Sequence, residues 1–257
     1  MPAINPSVLD KKIQTIFDRP LDTDAFPGEI HALLSFYADR TKRSTAATAT
    51  QESADLLHVP AAVLRALCTK IHQRGQREGD RWLDAAERLW ASGLREMRQV
   101  SICLLSEAPA ESTLETAGRW AAGCDDPLVL QALAAEGLRS WRESEPEKVY
   151  ASAVNWLANE ATRAFGLMAL QRLIEENSFD NLPSIFNALV GLPSTVRGFQ
   201  QQSLLSLMEA LAERSPAETT AFLLDELSPD DHRAARLVRA ALDAFPAPFQ
   251  AQLRQAL

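Results

Sequence analysis

The sequence predicts an all-α protein with the architecture of an α-solenoid, in which helical hairpins stack side by side. Its composition favours helices over strands, because Ala, Leu, Glu, Arg and Gln dominate and only 10 Gly, 14 Pro and 2 Tyr occur among 257 residues. Apolar residues recur at helical spacing along most of the chain. In addition, polar residues that lead apolar helices recur at intervals of 32 to 36 residues, which indicates a repeat.

The N-terminal part is predicted to hold two amphipathic helices, over residues 6–18 and 25–39. A stretch rich in Thr, Ser and Ala follows at 40–53, RTKRSTAATATQES, and it has no periodic apolar face. We therefore predict a mobile, solvated loop there. The less favoured alternative is that three of its side chains contact a phosphate backbone: Arg40, Lys42 and Arg43.

From Pro60 onward the helical pattern is broken only by short segments of Gly, Pro, Ser and Asp. A period of this length with two helices per unit is typical of a solenoid, in which each unit buries its apolar face against its neighbours. We predict one domain over 1–257, with the N-terminal helices and the loop in 1–55 and the repeats in 56–257. The polar residues that lead the second helices of the repeats are Arg98, Gln131, Arg163, Arg197 and Arg233.

The arginines of this set fall in a row, because the second helix of each hairpin lines the concave side of such a solenoid. Positive charge near a helix N-terminus opposes the helix dipole, so a compensating group is expected. One arrangement is an internal ladder that pairs Arg163 with Glu160, and Arg233 with Asp230 or Asp231. The other is a nucleic-acid phosphate along the groove. Paired charge is the usual state of partly buried arginine, which favours the ladder, but both arrangements remain open.

Charge and cysteine usage limit the classes of function. The net charge of −8 and the pI near 5.1 argue against a broad electrostatic grip on DNA, although a local basic stripe is compatible with them. No metal or other cofactor is predicted, because the four histidines show no ligand spacing. No signal or spanning segment is found either, which predicts a cytoplasmic protein without a membrane partner. Three cysteines without CxxC spacing are predicted to be buried thiols in a reducing compartment: Cys68, Cys103 and Cys124.

Four segments, in this order and spacing, resemble the AlkD-type DNA alkylation-repair glycosylase family. The first three are LLHVPAAVLRAL at 56–67, RLWASGLREMRQVSICLLSE at 88–107 and RWAAGCDDPLVLQALA at 119–134, and the fourth runs from Trp156 to Arg163. The resemblance implies a HEAT-like solenoid that wraps duplex DNA in its concave groove. It also implies excision of positively charged alkylated bases.

The same resemblance singles out Gln131. Active relatives hold a W-D-x-x-D segment, whose aromatic ring faces the lesion and whose last aspartate stabilises the developing oxocarbenium ion. The matching stretch here, 127–131, has Pro127 in place of the tryptophan and Gln131 in place of the last aspartate. Asp126 and Pro127 are explained as the N-cap and first residue of a helix. Asp125 remains a candidate that could supply the missing charge from the preceding break.

The tryptophans divide into two groups. We predict that Trp82 and Trp90 lie in the core, as most helical tryptophans do. Trp120 and Trp156 match the aromatic positions of the family loosely, so they either pack between helices or face the groove.

The resulting functional expectation is a duplex-DNA-binding protein without the base-excision aspartate. Two alternatives remain: a protein-interaction scaffold of the same architecture, and an altered but active N-glycosylase for 3-methyladenine and 7-methylguanine. The sequence does not predict an oligomeric state.

Overall fold

The computed structural model describes residues 5–38, 56–74, 80–108, 110–228 and 232–257. These residues form helices and no strand, which confirms the all-α fold class. The predicted loop at 40–53, with Arg40, Lys42 and Arg43, lies outside the described ranges. Within those ranges, no helix combines the length and the apolar character that crossing a bilayer requires.

The chain divides into two compact units, Met1–Ala117 and Gly118–Leu257. Stacked repeats also separate into groups of neighbours, because each repeat contacts only the adjacent ones. The prediction of one continuous repeat domain over 1–257 therefore stays a prediction.

Aromatic packing fills the core of the first unit. Trp82 is buried, and its ring lies 6.4 Å from that of Phe17 and 6.3 Å from that of Phe26. The core position predicted for Trp82 is thus confirmed. The two predicted N-terminal helices are also confirmed, and each ends within two residues of its predicted bounds. The helices of this unit are α1 (Pro6–Phe17), α2 (Phe26–Tyr37), α3 (Ala61–Arg74), α4 (Asp80–Trp90), α5 (Arg95–Leu105) and the first part of α6 (Ala110–Ala122).

A disulfide joins α3 to α5 in the first unit. Cys68 and Cys103 are 35 residues apart in sequence, about one repeat, and their Cα atoms lie 5.6 Å apart, within the range that a disulfide spans. The prediction of buried thiols is wrong for these two cysteines, because the repeat brings equivalent positions of neighbouring helices together. It holds for Cys124, which remains a buried thiol. The prediction of a reducing compartment rested on three thiols, so the disulfide removes that support.

The second helices of the second unit begin within four residues of the predicted positions. They begin at Pro127, Arg163, Phe199 and His232, and α10 packs between α9 and α13. The helices are α7 (Pro127–Ala132), α8 (Arg139–Ser144), α9 (Pro146–Ala158), α10 (Arg163–Glu175), α11 (Leu182–Leu189), α12 (Leu192–Thr195), α13 (Phe199–Arg214), α14 (Pro216–Glu226), α15 (His232–Ala241) and α16 (Ala247–Ala256).

One glycine sets the distance between α9 and α10. A Cβ atom on Gly166 would lie 2.9 Å from the carbonyl oxygen of Ala153 and 3.1 Å from the amide nitrogen of Leu157. Both atoms belong to the backbone of α9, so a side chain at position 166 would push the two helices apart. The hairpin depends on glycine at this position.

Between α7 and α8 the chain forms a π-helical turn over Leu133–Gly137, where the regular helical hydrogen bonds are interrupted. Arg142, which is 1% exposed, donates hydrogen bonds to backbone carbonyl oxygens of this turn. Its guanidinium donates to the carbonyl of Ala134 and, over 2.7 Å, to that of Ala135. It also forms a bidentate pair with the Glu176 carboxylate, with N–O distances of 2.7 and 2.6 Å. The turn is therefore fixed by a buried cation whose three nitrogen atoms all donate hydrogen bonds.

Candidate functional site

The segment around Gln131 begins with a capped helix. The Asp126 carboxylate accepts hydrogen bonds from the amides of Leu128 and Val129, and Pro127 occupies the first turn of α7. The predicted roles of Asp126 and Pro127 are confirmed. One turn further on, Gln131 is exposed to solvent.

Gln131 lies at the edge of a cleft of about 170 Å³ in the second unit. The cleft is formed by α7, the π-helical turn, α10 and α13, so it lies on the second helices of neighbouring repeats. The described residues that line it contribute no carboxylate. They are Gln131, Ala134, Met168, Gln171, Arg172, Phe199, Gln202, Ser203 and Ser206.

The charge at the rim of the cleft is neutralised within the protein. Arg172 forms an ion pair with Glu175 over 2.8 Å, and Gln171 donates to the other oxygen of the same carboxylate over 2.7 Å. Ser203 donates to the carbonyl of Phe199 over 3.0 Å. Arg172, Gln171 and Glu175 thus hold one another in place, and Ser203 is bonded to the backbone of its own helix.

Three polar groups of the cleft are left for a ligand. Within the described part of the chain, the side chains of Gln131, Gln202 and Ser206 take part in no hydrogen bond to protein. Met168 and the half-buried ring of Phe199 add apolar surface beside them. The cleft thus combines amide groups, a hydroxyl and an aromatic face, which suits a small polar ligand with an apolar plane.

Comparison with known proteins identifies the family. A sequence model of the family described as DNA alkylation repair enzyme matches residues 30–243, more than four fifths of the chain. The chain belongs to this family. No curated protein and no solved structure matches it.

The predicted arginines of this DNA alkylation repair family member make different contacts. Arg163 at the start of α10 donates from Nε to the Leu157 carbonyl over 2.9 Å, near the C-terminus of α9. Between these described residues no ion pair joins Arg163 to Glu160, so the predicted ladder pair is not formed there. The negative end of the α9 dipole provides the compensation instead.

Arg197 and Arg233 are both exposed. Arg197 precedes α13, in the segment that links it to α12. Arg233 donates to the Ser194 carbonyl over 3.1 Å. Its predicted partners Asp230 and Asp231 lie outside the described residues, so the ladder pair at this position stays a prediction.

Arg98 belongs to the first unit, where it packs on an aromatic ring. Its guanidinium carbon lies 5.0 Å from the ring centroid of Trp90, a cation–π contact. Trp90 is half-buried, so its predicted core position is correct only in part. Arg98 is also half-buried, and its packing orients the side chain.

The two tryptophans of the family pattern are packing residues. Trp120 is 3% exposed, so the groove-facing alternative is wrong for this residue: α6 turns its side chain into the core. Trp156 is half-buried. Its ring lies 4.6 Å from that of Phe165, and its Nε1 atom fills the space where Gly118 lacks a side chain.

Sequence reasoning identified Gln131 but missed the other polar residues of the cleft. Gln202 and Ser206 lie on α13, and Gln171 lies on α10. The sequence signal was weak, because α13, which carries two of them, has polar residues at half of its positions. Their offsets from the helix starts, between three and eight residues, bracket that of Gln131. Superposing the repeats by helix start would have grouped them. Asp125 is exposed in the break before α7, and its proposed role stays a prediction.

Proposed function

We propose that the protein binds duplex DNA through the second helices of its repeats and does not excise alkylated bases. The observation that carries this proposal is Gln131 at the edge of the cleft, in a member of the DNA alkylation repair enzyme family. The family supports DNA as the partner. The amide in place of a carboxylate supports the loss of base excision.

The chemical reason lies in the transition state of base excision. Cleavage of the glycosidic bond places positive charge on the sugar, and a fixed carboxylate stabilises that charge far more than a neutral amide does. The described lining of the cleft offers glutamines and serines instead. Its charged member, Arg172, is paired with Glu175 outside that lining, so the described lining itself supplies no carboxylate for a developing cation.

The DNA contacts that we propose are the predicted arginines Arg98, Arg163, Arg197 and Arg233. Arg197 is the most suitable for phosphate, because it is exposed and no contact with another side chain is described for it. The proposal requires only a local basic surface, which the overall charge of −8 permits.

The test of binding is a titration of labelled duplex by fluorescence anisotropy at two salt concentrations. We expect binding that weakens steeply with salt. Arg197→Gln should weaken it to a similar degree for all sequences and lower the salt slope by about 1. Arg254→Gln is the charge-matched control, because Arg254 bonds to Gln250 on its own helix, α16. If no duplex binds at low salt, the protein-interaction scaffold replaces this proposal.

The test of chemistry is release of 3-methyladenine and 7-methylguanine from alkylated DNA. We expect the unaltered protein to release neither above the spontaneous rate. Gln131→Asp alone should give weak release at most, because Pro127 stands where active relatives hold an aromatic ring. Clear release that Asp125→Asn abolishes would show that Asp125 supplies the charge and that the protein is an altered glycosylase.

A further inference from the structure

The cleft of the second unit has a chemistry of its own, which DNA binding through phosphates does not explain. We propose that it binds a single neutral nucleobase that is unpaired in DNA. This inference rests on the proposed function, because it names the DNA group that enters the cleft.

The polar lining fits a neutral ligand better than an ionic one. Arg172 and Gln171 are both bonded to Glu175, so the cation among the described lining residues is already paired. The remaining polar side chains, Gln131 and Gln202 among them, are neutral. A cationic base would find no carboxylate among the described lining residues, and an anion would find no unpaired cation.

The amides also distinguish a base from a phosphate. Each glutamine presents a donor and an acceptor side by side, and the edge of a nucleobase presents the complementary pair. A phosphate only accepts hydrogen bonds, so it would leave the amide oxygens of Gln131 and Gln202 facing its negative oxygens. The edge of a base can accept a hydrogen bond from the amide nitrogen and donate one to the amide oxygen of each glutamine.

The apolar lining provides a surface for the plane of a base. The ring of Phe199 at the start of α13 is half-buried and lines the cleft, and Met168 lies beside it on α10. Stacking of a base on an aromatic ring stabilises single-stranded contacts by about 1–3 kcal/mol per base. A thioether makes favourable contacts with aromatic ring edges. Together these groups favour an aromatic ligand over a sugar.

The size of the cleft limits the ligand to one such group. At about 170 Å³ it is smaller than the roughly 300–1,000 Å³ typical of sites for drug-sized molecules. Leu128, which is 55% exposed, precedes Gln131 by three residues and so lies on the same face of α7. An exposed apolar side chain at this place is suited to fill the gap that an unpaired base leaves in the stack.

The experiment compares three duplexes of one sequence by anisotropy at one salt concentration. The first is fully paired, the second carries one bulged adenine, and the third carries an abasic nucleotide at the bulge. The abasic duplex matches the backbone distortion and lacks only the base. We expect the adenine bulge to bind at least about fivefold more tightly than the abasic bulge, the effect of one good amide–base pair.

Two variants test whether the cleft is the site. Gln131→Leu and Gln202→Leu should bring the affinity ratio of adenine bulge to abasic bulge close to one and leave the affinity for paired duplex unchanged. Both side chains are exposed, so neither replacement disturbs the core. Gln201→Leu is the matched control, because Gln201 lies on the same helix and is not among the described lining residues. It should keep the ratio.

The outcomes separate this inference from the proposed function. Equal affinity of unaltered protein for the adenine and abasic bulges overturns the nucleobase site, whereas DNA binding stands. A preference for adenine that survives both Gln131→Leu and Gln202→Leu overturns the placement in this cleft. Failure to bind any of the three duplexes at low salt overturns both proposals.

Discussion

The two compact units use buried polar groups in different ways. In the first unit, Glu96 is 4% exposed and accepts hydrogen bonds from the amides of Leu57 and Val59, over 3.0 and 3.3 Å. It anchors the segment before α3, and the disulfide then ties α3 to α5. In the second unit, Arg142 anchors the π-helical turn, but the described residues include no cross-link there. A buried apolar core, the close approach of α9 and α10, and the Arg142–Glu176 pair hold that unit together.

The difference between bonded and unbonded polar side chains separates residues that stabilise the fold from residues that are available for binding. The side chains of Glu96 and Arg142 are engaged in hydrogen bonds that hold segments of the fold in place. In the second unit, Gln131 and Gln202 are exposed and line a cleft without bonding to the described protein groups. Polar side chains that the fold does not use mark a binding surface more clearly than a row of arginines does, because arginines also bond to backbone carbonyls, as Arg163 does.

The largest effect that the comparison predicts comes from the cross-link. Reduction of Cys68–Cys103 should lower the free energy of unfolding of the first unit by about 4 kcal/mol, because the disulfide closes a loop of 35 residues in the unfolded chain. Urea unfolding with and without reductant, followed by the intrinsic tryptophan fluorescence to which the buried Trp82 contributes, measures the loss. The Cys124→Ser protein is the reference for both measurements. It lacks the third thiol, so no free cysteine of the chain can exchange with the Cys68–Cys103 disulfide.

A thiol titration checks the premise of that experiment. Denatured protein prepared without reductant should show one reactive thiol, Cys124, and three after reduction. Three thiols before reduction would contradict the cross-link, and the first unit would then have to be stable through its aromatic core alone.

The next effect concerns the ion pair of the second unit. Glu176→Ala removes the partner of a guanidinium that is 1% exposed, and an uncompensated buried charge is costly. We expect a loss of about 2–3 kcal/mol in the free energy of unfolding. This is less than the loss for a fully buried pair, because the Glu176 side chain is itself 39% exposed. The measurement is the urea midpoint of the second unit.

Glu175→Ala is the matched control for this change. Glu175 is the preceding residue and pairs with Arg172, but both side chains are more than a third exposed. Its loss should cost less than about 1 kcal/mol. Equal losses in the two variants would show that Arg142 does not depend on its carboxylate.

The sequence predicted those features that depend on local pattern. The bounds of α1 and α2, the start of α10 at Arg163 and the capped start of α7 at Asp126 follow from apolar spacing and capping residues, which act within a few positions of the chain. Gln131 was singled out by the resemblance to the family segment, aligned on the break at Asp125 and Asp126. The helix bounds and the cap needed only one stretch of sequence each.

Features that join distant segments were not predicted. The Cys68–Cys103 disulfide and the Arg142–Glu176 pair link residues 35 and 34 positions apart. Such contacts depend on which helix faces meet, and the period alone does not fix those faces. Trp120 illustrates the same limit: its position on α6 was clear, whereas its orientation into the core depended on the packing of its neighbours.

The smallest effect tests the contact between helix backbones that distinguishes the second unit. In Gly166→Ala, the new methyl group would lie 2.9 Å from the Ala153 carbonyl, and backbone atoms cannot move aside as the end of a side chain can. Overpacking of this kind costs about 1–3 kcal/mol, whereas alanine gains up to about 1 kcal/mol over glycine in helix propensity. We expect a net loss of about 1 kcal/mol in the free energy of unfolding of the second unit, measured as a lower urea midpoint. Gly123→Ala is the control, because a Cβ atom there meets nothing within 4 Å, and its midpoint should not fall. A midpoint for Gly166→Ala at or above that of the unaltered protein would mean that α9 and α10 can separate without loss, and the close approach would then contribute nothing to the stability of the unit.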